Sequence, residues 1–275
     1  MKSGQLLVHV EPGPVSERRL RYALSMAQSR DMKLIGLAVR LSMSATVSTT
    51  LGDPMAMAAL CEASGECCIT ARELFDSVTH GSGIELEWRE ATGAPVAVVA
   101  AEAGRADVVI IGRNDRLDNE SGVYQIAPAD VIMASGTPVM VVSGDAPLSF
   151  KARRILLAWK STPQAVRAVH DAIPLLKSAE TVVMTEVISD TEEGKYEISA
   201  ESMAAYLASH GIDVSIRRLL YTGDAGYQLI QAAADDECDL IVAGAYGHSR
   251  LREWVLGGVT RSLLETPTMP CILSH

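Results

Sequence analysis

The chain has 275 residues, 48% of them apolar and 21% charged, with a formal net charge of −10. Those proportions suit a globular protein with enough chain for one large or two ordinary domains. The acidic excess argues against a nucleic-acid partner, because such affinity rests on Lys and Arg neutralising phosphates. With only two Phe, three Trp and seven Tyr, the core must come from Ala, Val, Leu, Ile and Met, as suits helices packed on a parallel sheet. The five cysteines (Cys61, Cys67, Cys68, Cys238 and Cys271) are odd in number and show no CxxC spacing, so neither a disulfide framework nor a structural zinc site is expected. Residues 1–5 lead straight into a strand-like run, so no signal peptide is expected, and no apolar stretch reaches the roughly 20 residues a membrane span needs. A reducing cytoplasmic location is the expectation.

Residues 6–10, LLVHV, read as a short buried strand stopped by Pro12, Gly13 and Pro14. Ser16 is a candidate N-cap for a helix to about residue 30, with Leu20, Ala23, Leu24 and Ala27 on one face. Residues 33–39, KLIGLAV, form a second strand, and a β–α–β run this short implies parallel pairing with a right-handed crossover. Residues 41–60 read as a loop followed by a helix over 54–80. The run IELEWRE alternates like a strand, and the sequence from Thr92 to Pro95 opens a helix to Ala103. Residues 106–112, ADVVIIG, make a buried strand, 114–122 a polar turn, 124–134 a helix and 138–142 a closing strand. Residues 144–151 read as a linker.

The pattern then restarts. Residues 154–159 form a strand, Thr162-Pro163 starts a helix with Pro at its first position, and 181–188 form a strand. A helix over 197–210 is stopped by Gly211, residues 212–220 alternate, and Thr222-Gly223-Asp224 opens a helix to Ala234. Residues 239–244 make the next strand. ADVVIIG matches CDLIVAG and GTPVMVVS matches PTMPCILS at one common offset; Thr92-Gly93 answers Thr222-Gly223, and LLVHVE answers ILLAWK. The chain is therefore two copies of one βα unit of roughly 140 residues, with extra sequence in the first copy near 41–60. The expected domains are 1–145, with a degenerate loop, and 152–275, with a retained one.

That retained loop follows the strand ending at Gly244. It runs Gly244-Ala-Tyr246-Gly247-His248-Ser249-Arg250, and Gly257-Gly258-Val259-Thr260 then enters a helix. Glycines at the carboxyl end of a parallel strand leave backbone amides open, and a helix start adds unpaired N–H groups, which together suit a phosphate. Glycines that only shape a turn and cap a helix are the competing reading. The spacing resembles the C-terminal signature of the universal stress protein family, G-x2-G-x9-G followed by Ser or Thr, and the repeat resembles a tandem pair of its domains. The resemblance implies two open five-stranded parallel sheets flanked by helices, a Rossmann-like fold of the adenine nucleotide alpha-hydrolase type, packed as a pseudo-twofold pair. It implies self-association through the last strand of each domain, and an ATP or ADP site in the second domain, with no metal beyond nucleotide-bound Mg. Ala158, Trp159 and Lys160, Val187, and the loop residues from Gly244 to Thr260 named above would form that site, and no catalytic residue is implied.

The sequence departs from the family pattern at Gly258, where a hydroxyl is expected, and at Lys160, where an acid would hold ribose hydroxyls. A lysine has no acceptor but can meet a phosphate. The first copy keeps the acid as Glu11. It lacks the glycines: Gln125 and Ile126 match Gly257 and Gly258, and Asp115, Asp118 and Glu120 would repel phosphate. Trp159 suits either base stacking or core packing, Arg250 a phosphate clamp or a solvated loop, and His9 a satisfied core position. Cys67-Cys68 point about 100° apart on a helix, and Met55 and Met57 suit either an adaptable apolar surface or ordinary packing. Three functions stand at this point. One is a cytoplasmic stress-response regulator with an adenine-nucleotide site in the second domain. The second is a scaffold or sensor that has lost that site and acts through protein partners or another small ligand. The third, slow ATP hydrolysis, lacks a visible base.

Overall fold

A computed structural model describes residues 4–47, 50–113, 126–188, 198–247, 258–266 and 269–275, and the chain divides into two compact units, Met1–Phe150 and Lys151–His275. In the first, β1 (Gln5–His9), α1 (Pro14–Arg30), β2 (Lys33–Leu41), α2 (Met43–Thr46), α3 (Pro54–Thr79), β3 (Leu86–Gly93), α4 (Pro95–Ala103), β4 (Val108–Gly112), α5 (Pro128–Ala134) and β5 (Val139–Val142) follow one another. The strands pair in parallel in the order β3-β2-β1-β4-β5. The second unit runs β6 (Arg154–Trp159), α6 (Pro163–Leu176), β7 (Thr181–Ile188), α7 (Ala200–Ser209), β8 (Ser215–Leu220), α8 (Ala225–Asp235), β9 (Leu240–Gly244), α9 (Gly258–Glu265) and β10 (Cys271–Ser274). Its parallel order is β8-β7-β6-β9-β10. A Rossmann-like βα fold is thus repeated twice.

The central strands are buried through their length: Leu6–Val8 and Val109–Ile111 in the first unit and Ile155–Leu157 and Leu240–Val242 in the second are at most 1% exposed. A sheet covered on both faces has no solvent side to alternate with, which is why these strands read as unbroken apolar runs. The registers also fix which residues of the two copies correspond. Leu6 stands beside Val108, as Ile155 stands beside Leu240. Pro14 and Pro163 each open the following helix. Arg19 therefore matches Ala168, Glu11 matches Lys160 and Gly112 matches Gly244.

Several element boundaries differ from the sequence reading. α1 starts at Pro14, after Gly13 at φ 109°, so Ser16 is not its cap. A backbone with positive φ suits glycine, and Pro at the first turn loses nothing because that N–H has no helical partner. β3 runs on through Thr92 and Gly93, α5 begins at Pro128, and α7 begins after Ser199, whose side chain accepts the Ser202 N–H. α3 buries Ser64, Cys68, Ala71, Phe75 and Thr79, spaced for one helical face. Phe75 fills the space over Gly36, where a methyl would stand 2.6 Å from the ring, and the Ser64 hydroxyl accepts the Leu41 N–H. Met55, by contrast, is 83% exposed.

Candidate functional site

In each unit the strand order reverses beside the first strand, between β1 and β4 and between β6 and β9. In open α/β sheets the crevice at the carboxyl ends of those two strands is where ligands bind. The second-unit crevice is flanked by Ala158, Trp159 and Lys160 from β6 and by Gly244, Ala245 and Tyr246 from β9. Trp159 is 4% exposed, Lys160 is exposed, and Val187 is half-buried near the end of β7. The indole Nε1 of Trp159 is buried and donates no hydrogen bond to a described residue. A buried donor left unpaired costs on the order of 1–3 kcal/mol, so this one calls for an acceptor.

Gly244 is fixed by packing. An added Cβ would stand 2.4 Å from the Ala165 amide nitrogen and 2.5 Å from the Gln164 carbonyl carbon, because the first turn of α6 lies directly on the strand end. That turn is held by Thr162, whose hydroxyl accepts the Ala165 N–H at 3.2 Å. The loop begins with Tyr246 at φ 60°, and its N–H lies 3.4 Å from the Thr260 hydroxyl. Thr260 is 2% exposed, so this hydroxyl is committed to the start of the loop. Gly258 is different again: it is exposed, and a Cβ there would meet no described residue within 4 Å. Val259 is half-buried against Gly226 of α8, and Ser262 one turn on donates to the Asp224 carboxylate, which also caps α8. Among the expected site residues, His248, Ser249, Arg250 and Gly257 lie outside the described residues. So do Asp115, Asp118, Glu120 and Gln125 of the first-unit loop.

At the first-unit crevice Arg19 ties the end of β1 to the start of α1. It is 3% exposed. Its guanidinium donates to the His9 carbonyl at 3.0 Å, the Glu11 carboxylate at 2.9 Å and the Ser16 hydroxyl at 3.2 Å. It also reaches across to Gly112, where an added Cβ would be 2.0 Å from Nη1. Ser16 in turn accepts the Glu11 N–H, so the residue that reads as a helix cap is part of this network. The matching residues in the second unit, Ala165, Ala168 and Lys160, cannot form it. Sequence reasoning passed over Arg19. The one signal available was a cation on the apolar face of α1 next to Leu20 and Ala23.

Burial holds the His9 imidazole down at about 4; Glu11 pulls it upward and Arg19 pushes it further down. Burial works to raise the Glu11 carboxyl. The positive groups beside it, His9 and then Arg19, outweigh that, and the carboxyl stays below its ordinary value. A histidine with a depressed folded pKa destabilises the fold as pH falls from the unfolded value, 6.5, towards 4, because only the unfolded chain binds the proton in that window. Acid unfolding of the first unit is therefore expected to lose roughly 3 kcal/mol across that window. His9→Gln should flatten that slope; urea midpoints measured against pH check it, and an unchanged slope would refute it.

Among the described residues no group of three His, Cys, Asp or Glu is placed to hold a metal ion, and no helix is long and apolar enough to cross a membrane. The family profile described as "Universal stress protein family" matches residues 151–275. By structure the chain is similar to a universal stress protein from Archaeoglobus fulgidus DSM 4304, with a TM-score of 0.70 at 16% identity over 98% of this chain and 96% of that one. It is also similar to a functionally unknown protein from Pseudomonas aeruginosa PAO1, with a TM-score of 0.54 at 15% identity over 99% and 92% of the two chains. No curated protein matches the chain. At these identities the likeness is one of fold, and it spans both repeats.

Proposed function

We propose, for a chain of tandem universal stress protein architecture, a regulatory role exercised through an adenine-nucleotide site, for ATP or ADP, in the second unit. The observation that carries this reading is the second-unit crevice itself. A buried indole N–H without an acceptor among the described residues stands at the end of β6, across from the β9 loop that begins at Gly244. Adenine offers ring nitrogens as acceptors and a face to stack on, which suits Trp159. Backbone near Val187 would face the base, the amides from Gly244 to Gly247 and at Gly258 and Val259 would meet phosphate, and Lys160 would add a cation there. Any magnesium would arrive on the nucleotide. The reading assigns no catalytic residue.

A scaffold or sensor without nucleotide is the second reading, and two observations favour it. Lys160 cannot accept from ribose hydroxyls, and the Thr260 hydroxyl, which accepts the Tyr246 N–H, is buried and so does not replace the one missing at Gly258. Calorimetry with ATP, ADP and AMP separates the two. A nucleotide site predicts saturable binding, and Lys160→Asp should tighten it about tenfold by restoring a charged acceptor. Gly258→Ser, which the open space at that position admits, should act in the same direction. Absence of binding at millimolar ligand in the wild type and in Lys160→Asp alike would retire the nucleotide reading in favour of the scaffold.

A further inference from the structure

The α2–α3 segment of the first unit carries sulfur that neither functional reading uses. The Cys61 thiol of α3 donates to the thioether of Met43 on α2, with Sγ 3.7 Å from Sδ. Met57 lies one turn before Cys61 on the same side of α3 and is half-buried. We propose that Cys61, Met43 and Met57 form a site for one soft monovalent cation, copper(I), held by three sulfurs.

Donor chemistry sets the metal. Thiolate and thioether are soft donors and select copper(I) over magnesium, calcium or manganese, which take oxygen. Geometry sets the number of donors. With metal–sulfur bonds of about 2.3 Å, two sulfurs 3.7 Å apart subtend about 107° at a shared ion. That angle belongs to a three- or four-coordinate ion and not to a linear pair, so a third donor is required. Met57 can supply it. Residues four apart on a helix are neighbours, and an unbranched thioether side chain has three rotatable bonds with which to reach.

Charge agrees with a monovalent ion. Residues 41–60 hold a single charged side chain, Asp53. Copper(I) on the Cys61 thiolate is neutral as a unit, and the displaced thiol proton goes to water, so no further counter-charge is needed. Zinc or copper(II) would leave a net positive charge there, and no group of three His, Cys, Asp or Glu among the described residues offsets it. The other thiols compete poorly, because the thiolate is the ligand. Cys68, Cys238 and Cys271 are at most 9% exposed, and burial pushes the thiols of Cys68 and Cys238 up to about 11. Cys61 is half-buried and Met43 is exposed, so an ion reaches them from solvent. The site lies in the first unit, and its test is independent of any nucleotide in the second.

Copper(I), added without oxygen to the full chain in competition with a coloured copper(I) chelator, is the probe. The wild type should draw one ion per chain from the chelator, and X-ray absorption should show a sulfur shell at about 2.3 Å. Cys61→Ser should weaken uptake about a hundredfold, and Met43→Leu and Met57→Leu about tenfold each. Leucine refills the volume of methionine, so the urea midpoints of those two variants should stay close to that of the wild type. A thioether that only packs against Cys61 would leave uptake unchanged in both. Peptide-resolved alkylation should show copper(I) protecting Cys61 ahead of Cys67. No uptake by the wild type would overturn the proposal, and so would protection that falls first on another cysteine. Uptake that survives Met43→Leu combined with Met57→Leu would overturn it as well.

Discussion

Gly244→Ala is expected to destabilise the second unit by about 3 kcal/mol, at the upper end of what one extra methyl costs a packed interior. The three nearest neighbours of the added Cβ are all backbone: the Ala165 nitrogen at 2.4 Å, the Gln164 carbonyl carbon at 2.5 Å and the Ala165 Cα at 2.8 Å. A flexible side chain could swing aside from such a contact, whereas a helix turn cannot move without carrying α6 with it. The Thr162 cap holds that turn, and α6 buries Ala165, Ala168, Val169 and Ala172 on one side. The substitution should also weaken any ligand held at the carboxyl ends of β6 and β9, because the relief available to the chain is to separate α6 from the crevice. Gly258→Ala is the matched control. It has no neighbour within 4 Å among the described residues and should leave stability within about 0.5 kcal/mol. Urea unfolding followed by a second-unit signal, with Trp159 fluorescence as the natural choice, would measure both. Equal midpoints for Gly244→Ala and the wild type would mean that the start of α6 does not lie on the strand end.

The contrast between those two glycines shows where the sequence stops being informative. Both stand in one G-x2-G-x9-G-G stretch, and both read as loop formers. The role of Gly244 is set by Gln164 and Ala165, some eighty residues earlier, as the packing of α6 on β9 dictates. The fold itself was legible because its signals are local and repeated. VVIIG and LIVAG are buried parallel strands on sight, Pro163 after Thr162 and Ala225 after Asp224 mark helix starts, and the second copy confirms the first. Element ends were less legible where one residue type serves two purposes. Thr92-Gly93 closes β3 although the same dipeptide pattern precedes a helix start, and Ser16 offers the same hydroxyl to a helix cap or to the Glu11 amide. Thr260 reads as a phosphate donor, and its burial beneath Tyr246 follows from how α9 sits, which composition does not encode. Arg19 was illegible for a related reason. A cation on an apolar helix face makes sense only once the end of β1 supplies a carbonyl and a carboxylate beside it.

Arg19→Met is therefore expected to cost the first unit about 3 kcal/mol or more, since removing one partner of a buried pair leaves the other charge uncompensated. Glu11 would lose its Arg19 hydrogen bond, the His9 carbonyl a donor and the Ser16 hydroxyl a partner, all beneath α1. The pH dependence should change with it. In the wild type the Glu11 carboxyl is held below its ordinary value, so its contribution is present above that value and is lost as pH falls. Without Arg19 the carboxyl loses a cation that holds it down and moves upward, so the variant's loss relative to the wild type should be smallest in acid and grow as pH rises. Arg19→Met combined with Glu11→Gln should recover much of the loss, because a neutral amide does not need the cation and Met refills the arginine's space. The second unit supports that recovery: Ala168 occupies the corresponding place on α6, and the same βαβ backbone forms with an alanine where the first unit has Arg19. A double-mutant cycle measured by urea unfolding at neutral pH gives the coupling directly. A large loss in Arg19→Met that Glu11→Gln does not relieve would mean that Arg19 acts through its contacts with His9 and Gly112 rather than through the ion pair.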